Sequence, residues 1–179
     1  MLDVFKHSWA RLLGMLLLML GNGLQGSLLG VRGSGEGFSA VSMSVVMSAY
    51  LGVAEAAANI ARNRARDRSN DPVTVIQVGE MENLLTTAKV MRDDMVRLCN
   101  DFDFVPTPEL ASEILIRKTI CANHLIALSE KALEVTGGAG FFRKTGLERL
   151  MRDLLGAQFH PLPEKQQQSF TGRLSLGLD

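Results

Sequence analysis

The sequence has little of what builds strands. Phe, Trp and Tyr make up 6% of its 179 residues, with one Trp and one Tyr, and β-branched runs are sparse. Such a composition argues against a sheet, whose pleated surface is filled by aromatic and β-branched side chains. Proline is scarce too, at five residues, so few positions forbid a helix. A net charge of either sign is absent, with 19 basic against 19 acidic side chains. This balance removes any general attraction to nucleic acid or to an anionic membrane, so a partner must be recognised locally. Cysteine is limited to Cys99 and Cys121, without the CxxC or Cys/His spacing of a metal or redox site. Two packed thiols in helical patterns fit a reducing compartment, and the expected location is the cytoplasm.

What is abundant is Leu, Ala, Met, Glu and Arg, the residues that favour helices. The expectation is an all-α fold with one principal domain. From about Ser42, the apolar residues Val46, Tyr50, Val53, Ala57 and Ile60 recur by four and three, the period of an amphipathic helix. The pattern stops at ARDRSNDP, where Pro72 disfavours helix at Asp71. Met81, Leu84, Ala88, Met91, Met95, Leu98 and Phe102 form a second seam. Thr107 and Pro108 make an N-cap and first-turn pair. They open a third helix with an apolar face through Leu110, Ile114, Cys121, Leu125, Leu128, Ala132 and Val135. Gly137 arrives where this pattern ends and suits a left-handed C-cap. Thr145-Gly-Leu-Glu148 has the spacing of a capping box. The helix after it buries Leu147, Leu150, Met151, Leu154 and Leu155, with a Glu148–Arg152 pair on its wet side. The expected architecture is an up-down four-helix bundle over residues 46–156, followed by an extended, surface-lying tail over 157–179.

Residues 1–45 stand apart as an apolar helix and a glycine-rich segment. The run from Trp9 to Leu20 is intensely apolar, and residues 21–39 are a flexible stretch. A signal peptide would need a small-residue cleavage site, and no convincing Ala-x-Ala follows. A membrane span needs about 20 apolar residues, whereas Gly21-Asn22-Gly23 and Gln25-Gly26 break this run sooner. A buried helix is the plainer reading, with a marginal span over residues 8–31 and membrane association as the alternative. GVRGSGEG lacks the preceding strand and the GxGxxG spacing of a dinucleotide loop.

Three segments carry a family resemblance: AYLGVAEAA in the first bundle helix, ALEVTGGAG closing the third, and LERLMRD opening the fourth. Through them, residues from about 49 to 175 resemble the carboxy-terminal helical domain of acyl-CoA dehydrogenases. The resemblance implies an FAD-dependent oxidoreductase of fatty acid metabolism that oxidises the α,β-carbons of an acyl-CoA-type thioester. It also implies a homo-oligomer, dimer or tetramer, or docking on a full-length relative. In that family FAD lies between subunits, so Gly137, Gly138 and Gly140 would bring bare backbone to its adenosine-diphosphate part. Arg66 or Arg68 would supply the charge of the family's Arg-x-x-Phe-Gly turn, which here reads ARDRSNDPVTVIQ. Gln77 would match a glutamine at the start of the next helix. Glu134 stands where many members have glutamine, and a carboxylate there would repel a pyrophosphate.

The family's catalytic glutamate most often lies eight residues beyond the aspartate of LMRD, which here is Pro161. Proline cannot serve as a base. The alternative family position, on the first helix, falls near Ser42 and is not acidic either. His160, able to titrate near neutral pH, and Glu164 are the nearest substitutes. Counterparts of the family's amino-terminal helical domain and middle β-domain are not found in the sequence, which implies a chain without turnover alone. Residues 8–45 resemble, over a short stretch, the first membrane helix of a major-facilitator-type transporter, which would make the chain a fusion or a gene-model artefact. Two other functional readings stand beside the enzyme: a non-catalytic helical oligomerisation or interaction module, and a membrane-anchored fusion protein.

Overall fold

A short polar side chain followed by proline starts two of the long helices. In the computed structural model, which describes residues 37–178 apart from 101, 102 and 161 and side chains from Met43 onward, helix α1 spans Gly37–Ala65 and ends in a 3₁₀ turn, Arg66–Arg68. Asp71 then accepts hydrogen bonds from the Val73 and Thr74 amides at 3.2 and 3.1 Å and caps α2, Pro72–Leu98. Thr107 does the same for α3, Pro108–Thr136, accepting from Leu110 N at 3.2 Å. In both helices proline takes the first turn, where its missing N–H has no intrahelical partner to lose.

Cross-helix pairs fix the register. Ser44 Oγ lies 3.7 Å from Cys99 Sγ, and Lys89 and Arg62 on the same helix pair meet Glu55 and Glu82 at 2.7 and 2.6 Å. Residue numbers fall on one helix as they rise on the other, so α1 and α2 are antiparallel. Gln77–Glu134 at 2.8 Å, Lys131–Glu80 at 2.7 Å and Arg117–Asp94 set α2 against α3 in the same way. The fourth bundle position is filled by two short helices end to end, α4 (Leu147–Leu155) and α5 (Glu164–Ser175). Helix α4 packs on α1 and α3, and α5 on α3. Asn123–Glu164 and Ser112–Thr171 contacts, at 3.4 and 2.9 Å, run α5 antiparallel to α3. The expected all-α fold is present, its long helices run antiparallel, and its last position is broken into two helices reaching beyond residue 156.

The core follows the expected period with a shift on α1. Its fully buried line is Met43, Met47, Leu51, Ala54, Ala58, Ala61 and Ala65, joined by Val46 and Ala57, whereas Tyr50, Val53 and Ile60 are half-buried. Helix α1 touches α2, α3 and α4, so its buried arc is wider than one seam. On α2 the buried residues are Met81, Leu85, Ala88 and Met95, with Cys99 just beyond, and Leu84, Met91 and Leu98 flank them. The α3 face is as expected, with Ile114, Cys121, Leu125, Leu128, Ala132 and Val135 buried and Leu110 packed at the edge.

Five expectations need correction. The tail over 157–179 is not extended: it contains α5, because Pro163 suits the residue before a first turn and Gln167 is buried while Leu162 and Phe170 pack on the core. The first helix begins at Gly37, inside the stretch expected to be a flexible segment. Thr145 and Glu148 form no capping box. Gly146 caps α4 in the left-handed conformation, φ 75°, Thr145 Oγ1 donates instead to Ala139 O at 2.7 Å, and the buried Glu148 Oε2 has no partner. Arg152 pairs with Asp153 at 3.5 Å rather than with Glu148, and Leu155 is exposed.

Met43–Arg68 is long and apolar enough to cross a membrane, but its apolar face is the core of the bundle. Residues 8–31, where a marginal span is expected, lie outside the described residues, as do Phe102 and Pro161. The Ser42 side chain lies outside them as well.

Candidate functional site

The end of the bundle where α1 stops, α2 starts and α3 stops gathers most of the candidate cofactor residues. Gly137 takes φ 68° and ψ −157°, which differs from the expected left-handed C-cap and belongs to a region that only glycine populates freely. Its N–H still caps α3 by donating to the Leu133 and Glu134 carbonyls. A 3₁₀ turn, Gly137–Phe141, follows. At Gly137 and Gly138 nothing lies within 4 Å of where a Cβ would stand, so their backbone is open to an approaching group. Gly140 differs: it is buried, and a Cβ there would come within 2.5 Å of Leu133 Cδ1 and 3.2 Å of Leu147 Cδ2. Its missing side chain serves packing, so the open backbone is that of Gly137 and Gly138.

Of the two candidate arginines, Arg68 reaches the end of α3 next to this turn. Arg68 Nη2 donates to Val135 O, tying the α1–α2 connection to the last turn of α3, and Arg66 is exposed two residues earlier. Gln77 Nε2 donates to Glu134 at 2.8 Å, and Lys131 meets the same carboxylate at 2.6 Å. The hydrogen bond from Lys131 holds the Glu134 carboxyl below its ordinary range. Glu134 is therefore ionised but shares its charge with Lys131, which also reaches Glu80 at 2.7 Å. An open cleft of about 370 Å³ beside the turn is lined by Arg64, Ala139, Phe142, Lys144 and Thr145, with two cationic side chains and an aromatic ring. Phe141 and Phe142 are 71% and 69% exposed. Residues Arg64, Lys144 and Phe142 were not among the sequence candidates; a cation two residues before the arginine turn and another just after the glycines were the available signal.

A second cluster sits at the break between α4 and α5. Here His160 is half-buried, with a buried Nδ1 that has no hydrogen-bond partner. Burial, and then the nearby Lys118 charge, lower its pKa, so it is neutral at physiological pH. Lys118 is 1% exposed and donates through Nζ to Leu162 O at 2.9 Å and Gln158 O at 3.4 Å. Burial brings its pKa down to about 8, against the opposing pull of Glu164. Glu164 does not offer a free carboxylate: it stands in the first turn of α5 and accepts from Gln168 at 2.6 Å and Asn123 at 3.4 Å. Lys118 escaped the sequence reading although it fills the gap between Ile114 and Cys121 in the α3 seam. That a cation occupied a core position was the signal. The two clusters are separate, and no group of three or more His, Cys, Asp or Glu suited to a metal exists among the described residues.

Solved structures with this fold include a KijD3 in complex with FMN and dTDP-3-amino-2,3,6-trideoxy-4-keto-3-methyl-D-glucose. It matches at TM-score 0.68 and 22% identity over 80% of this chain and 38% of its own. Dibenzothiophene monooxygenase TdsC from Paenibacillus sp. A11-2 matches at TM-score 0.63 and 20% identity, over 79% of this chain and 39% of its own. XiaF from Streptomyces sp., in complex with FADH2 and glycerol, matches at TM-score 0.63 and 20% identity, over 80% and 39%. At such identities the likeness is of fold, and the chain spans only 38 to 39% of these three proteins. No curated protein sequence matches it. The acyl-CoA dehydrogenase C-terminal domain matches residues 44–163; the transporter likeness of residues 8–45 gains no support. With more than half of its length matched in this way, the chain belongs to the acyl-CoA dehydrogenase family through that C-terminal domain.

Proposed function

We propose that the chain is the carboxy-terminal domain of a flavin-dependent oxidoreductase of the acyl-CoA dehydrogenase type. In this reading Gly137 and Gly138 meet the adenosine-diphosphate end of FAD, and His160 exchanges the substrate's proton. The observation that carries it is the open, side-chain-free backbone at Gly137 and Gly138, with Arg68 tied to Val135 O just before them and Arg64 and Lys144 lining the adjoining cleft. Side-chain-free backbone and the cations of the adjoining cleft suit a pyrophosphate, although Gly137 N–H itself is taken up in capping α3. The Lys131 partnership of Glu134 reduces the repulsion that a lone carboxylate would exert. Gln77, held by Glu134, orients that carboxylate toward α2. The complexes of KijD3 with FMN and XiaF with FADH2 support a flavin in this fold.

When bound, the flavin supplies the two-electron acceptor. The chain's own part at the α4–α5 break is proton transfer. Oxidation of an acyl thioester at its α,β-carbons needs a base for the α-proton. Glu164 is engaged at the start of α5, whereas His160 is kept neutral by burial and has an unpartnered Nδ1. The remaining walls around flavin and substrate come from a second copy or a longer relative, in the cytoplasm. A second reading, a non-catalytic interaction module, is favoured by the exposed Phe141 and Phe142 beside the glycine turn, an apolar pair suited to another protein surface.

Flavin binding tests the choice. The full chain is purified and titrated with FAD and FMN, following the flavin's visible absorption and its oligomeric state. FAD bound to an oligomer supports the flavoprotein, and Gly138→Glu then weakens binding by about tenfold or more. A colourless oligomer supports the interaction module. Unchanged FAD binding by Gly138→Glu removes the glycine turn from the site.

A further inference from the structure

A lysine that is 1% exposed in a helical core is costly, because an ammonium loses its hydration there unless other groups replace it. A leucine or methionine would continue the α3 seam at position 118 without that cost. What distinguishes the site is the break in the fourth helix. Where a helix stops, carbonyls lose their intrahelical donors and must find others. Lys118 Nζ donates to one of them, Gln158 O, at 3.4 Å, and to Leu162 O in the link to α5 at 2.9 Å. These carbonyls stand two residues before and two residues after His160.

We propose that Lys118 is a positioning residue for His160: its buried ammonium grips the backbone on both sides of the histidine and fixes the imidazole at the α4–α5 break. The inference rests on the reading of His160 as the proton-transfer group. The same ammonium adds to burial in opposing protonation of the imidazole, so one side chain orients the histidine and helps keep it in its proton-accepting form. Other charged and titratable groups around the lysine are Glu164 from α5 and Cys121 on α3 itself, with Arg92 of α2 facing the cysteine. Glu164 supports the ammonium, and the thiol, pushed up by burial to about 12, stays neutral.

A histidine NMR titration of the full chain tests this without any flavin. The chain has three histidines, and His160→Gln assigns the signal. In the parent chain the His160 resonances titrate below the ordinary imidazole range and show a second, smaller displacement near pH 8, where Lys118 loses its proton. In Lys118→Met the second displacement vanishes and the first moves up, while staying below the ordinary imidazole range because burial remains. Amide exchange at Phe159 and Leu162 also speeds by about tenfold or more, while exchange in the α2–α3 core is unchanged. Glu164→Gln keeps the lysine and moves the second displacement to lower pH, which tests the coupling even if Lys118→Met folds poorly. A His160 signal indifferent to pH near 8, to Glu164→Gln and to Lys118→Met overturns the proposal. A chain that shows the displacements but binds no flavin keeps the lysine's positioning role and discards the flavoprotein reading; a flavin-binding chain without them does the reverse.

Discussion

Lys118 and Cys121 lie almost one turn apart on α3 and are both buried, yet burial moves their titrations in opposite directions, the lysine from 10.5 down to about 8 and the thiol from 9.0 up to about 12. Their effects on stability follow with opposite sign. Between about pH 8 and 9 the unfolded chain keeps the lysine proton that the folded chain is losing, so stability rises with pH, by about 1.4 kcal/mol per pH unit at most. Above 9.0 the unfolded Cys121 thiol ionises while the folded one does not, which opposes the lysine and flattens the curve. Above 10.0 the Tyr50 phenol, held neutral in the fold by burial and by Asp153, turns it downward. Urea unfolding at closely spaced pH values should show this rise and plateau, and Lys118→Met should lack the rise. The lysine's importance was not legible from the sequence, because apolar periodicity passes over a charged residue and cannot show which carbonyls a distant helix break leaves without donors. That α3 ends at Gly137 was legible, since the glycine arrives where the α3 pattern ends, although its φ 68° and ψ −157° are not the expected left-handed conformation; that Gly140 instead makes room for Leu133 and Leu147 depended on packing no local window contains.

Among the elements, the beginning of α3 was readable because Thr107-Pro108 holds its cap within four residues, whereas Asp71-Pro72, read only as the end of the first helix, also caps α2. The start of α4 was not, because Gly146 and the Ala139 carbonyl compete for the roles that the Thr145–Glu148 spacing promised. The contrast is measurable. Thr107→Ala should lose about 1 kcal/mol, lowering Tm by roughly 2–4 °C. Glu148→Gln, which removes no cap, should produce no such loss in the same thermal melt. Helix α5 was illegible for a different reason. Glu164, Lys165 and the glutamines favour helix, but the segment carries too few apolar residues to show an amphipathic period, and what positions it is α3, through Ser112–Thr171, Asn123–Glu164 and the burial of Gln167.

Across the whole molecule, the antiparallel bundle followed from the three long seams, and the strength of its core is open to a direct check. Leu128, fully buried on the central helix α3, should cost about 2–5 kcal/mol when changed to Ala, read from denaturant midpoints. The candidate site was less legible than the bundle because its groups come from elements far apart in sequence: Arg68 meets Val135, Gln77 meets Glu134, and Lys118 meets Leu162. The buried line of α1 has one more consequence. Toward the glycine turn it consists of Ala54, Ala57, Ala58, Ala61 and Ala65, while Met43, Met47 and Met95 gather toward the other end. Alanine has no rotamers to exchange, whereas methionine adapts its shape readily. The α1 face of the core is therefore graded in side-chain freedom, rigid toward Gly137 and Gly138, where Met81 of α2 packs at its level, and more compliant at the far end.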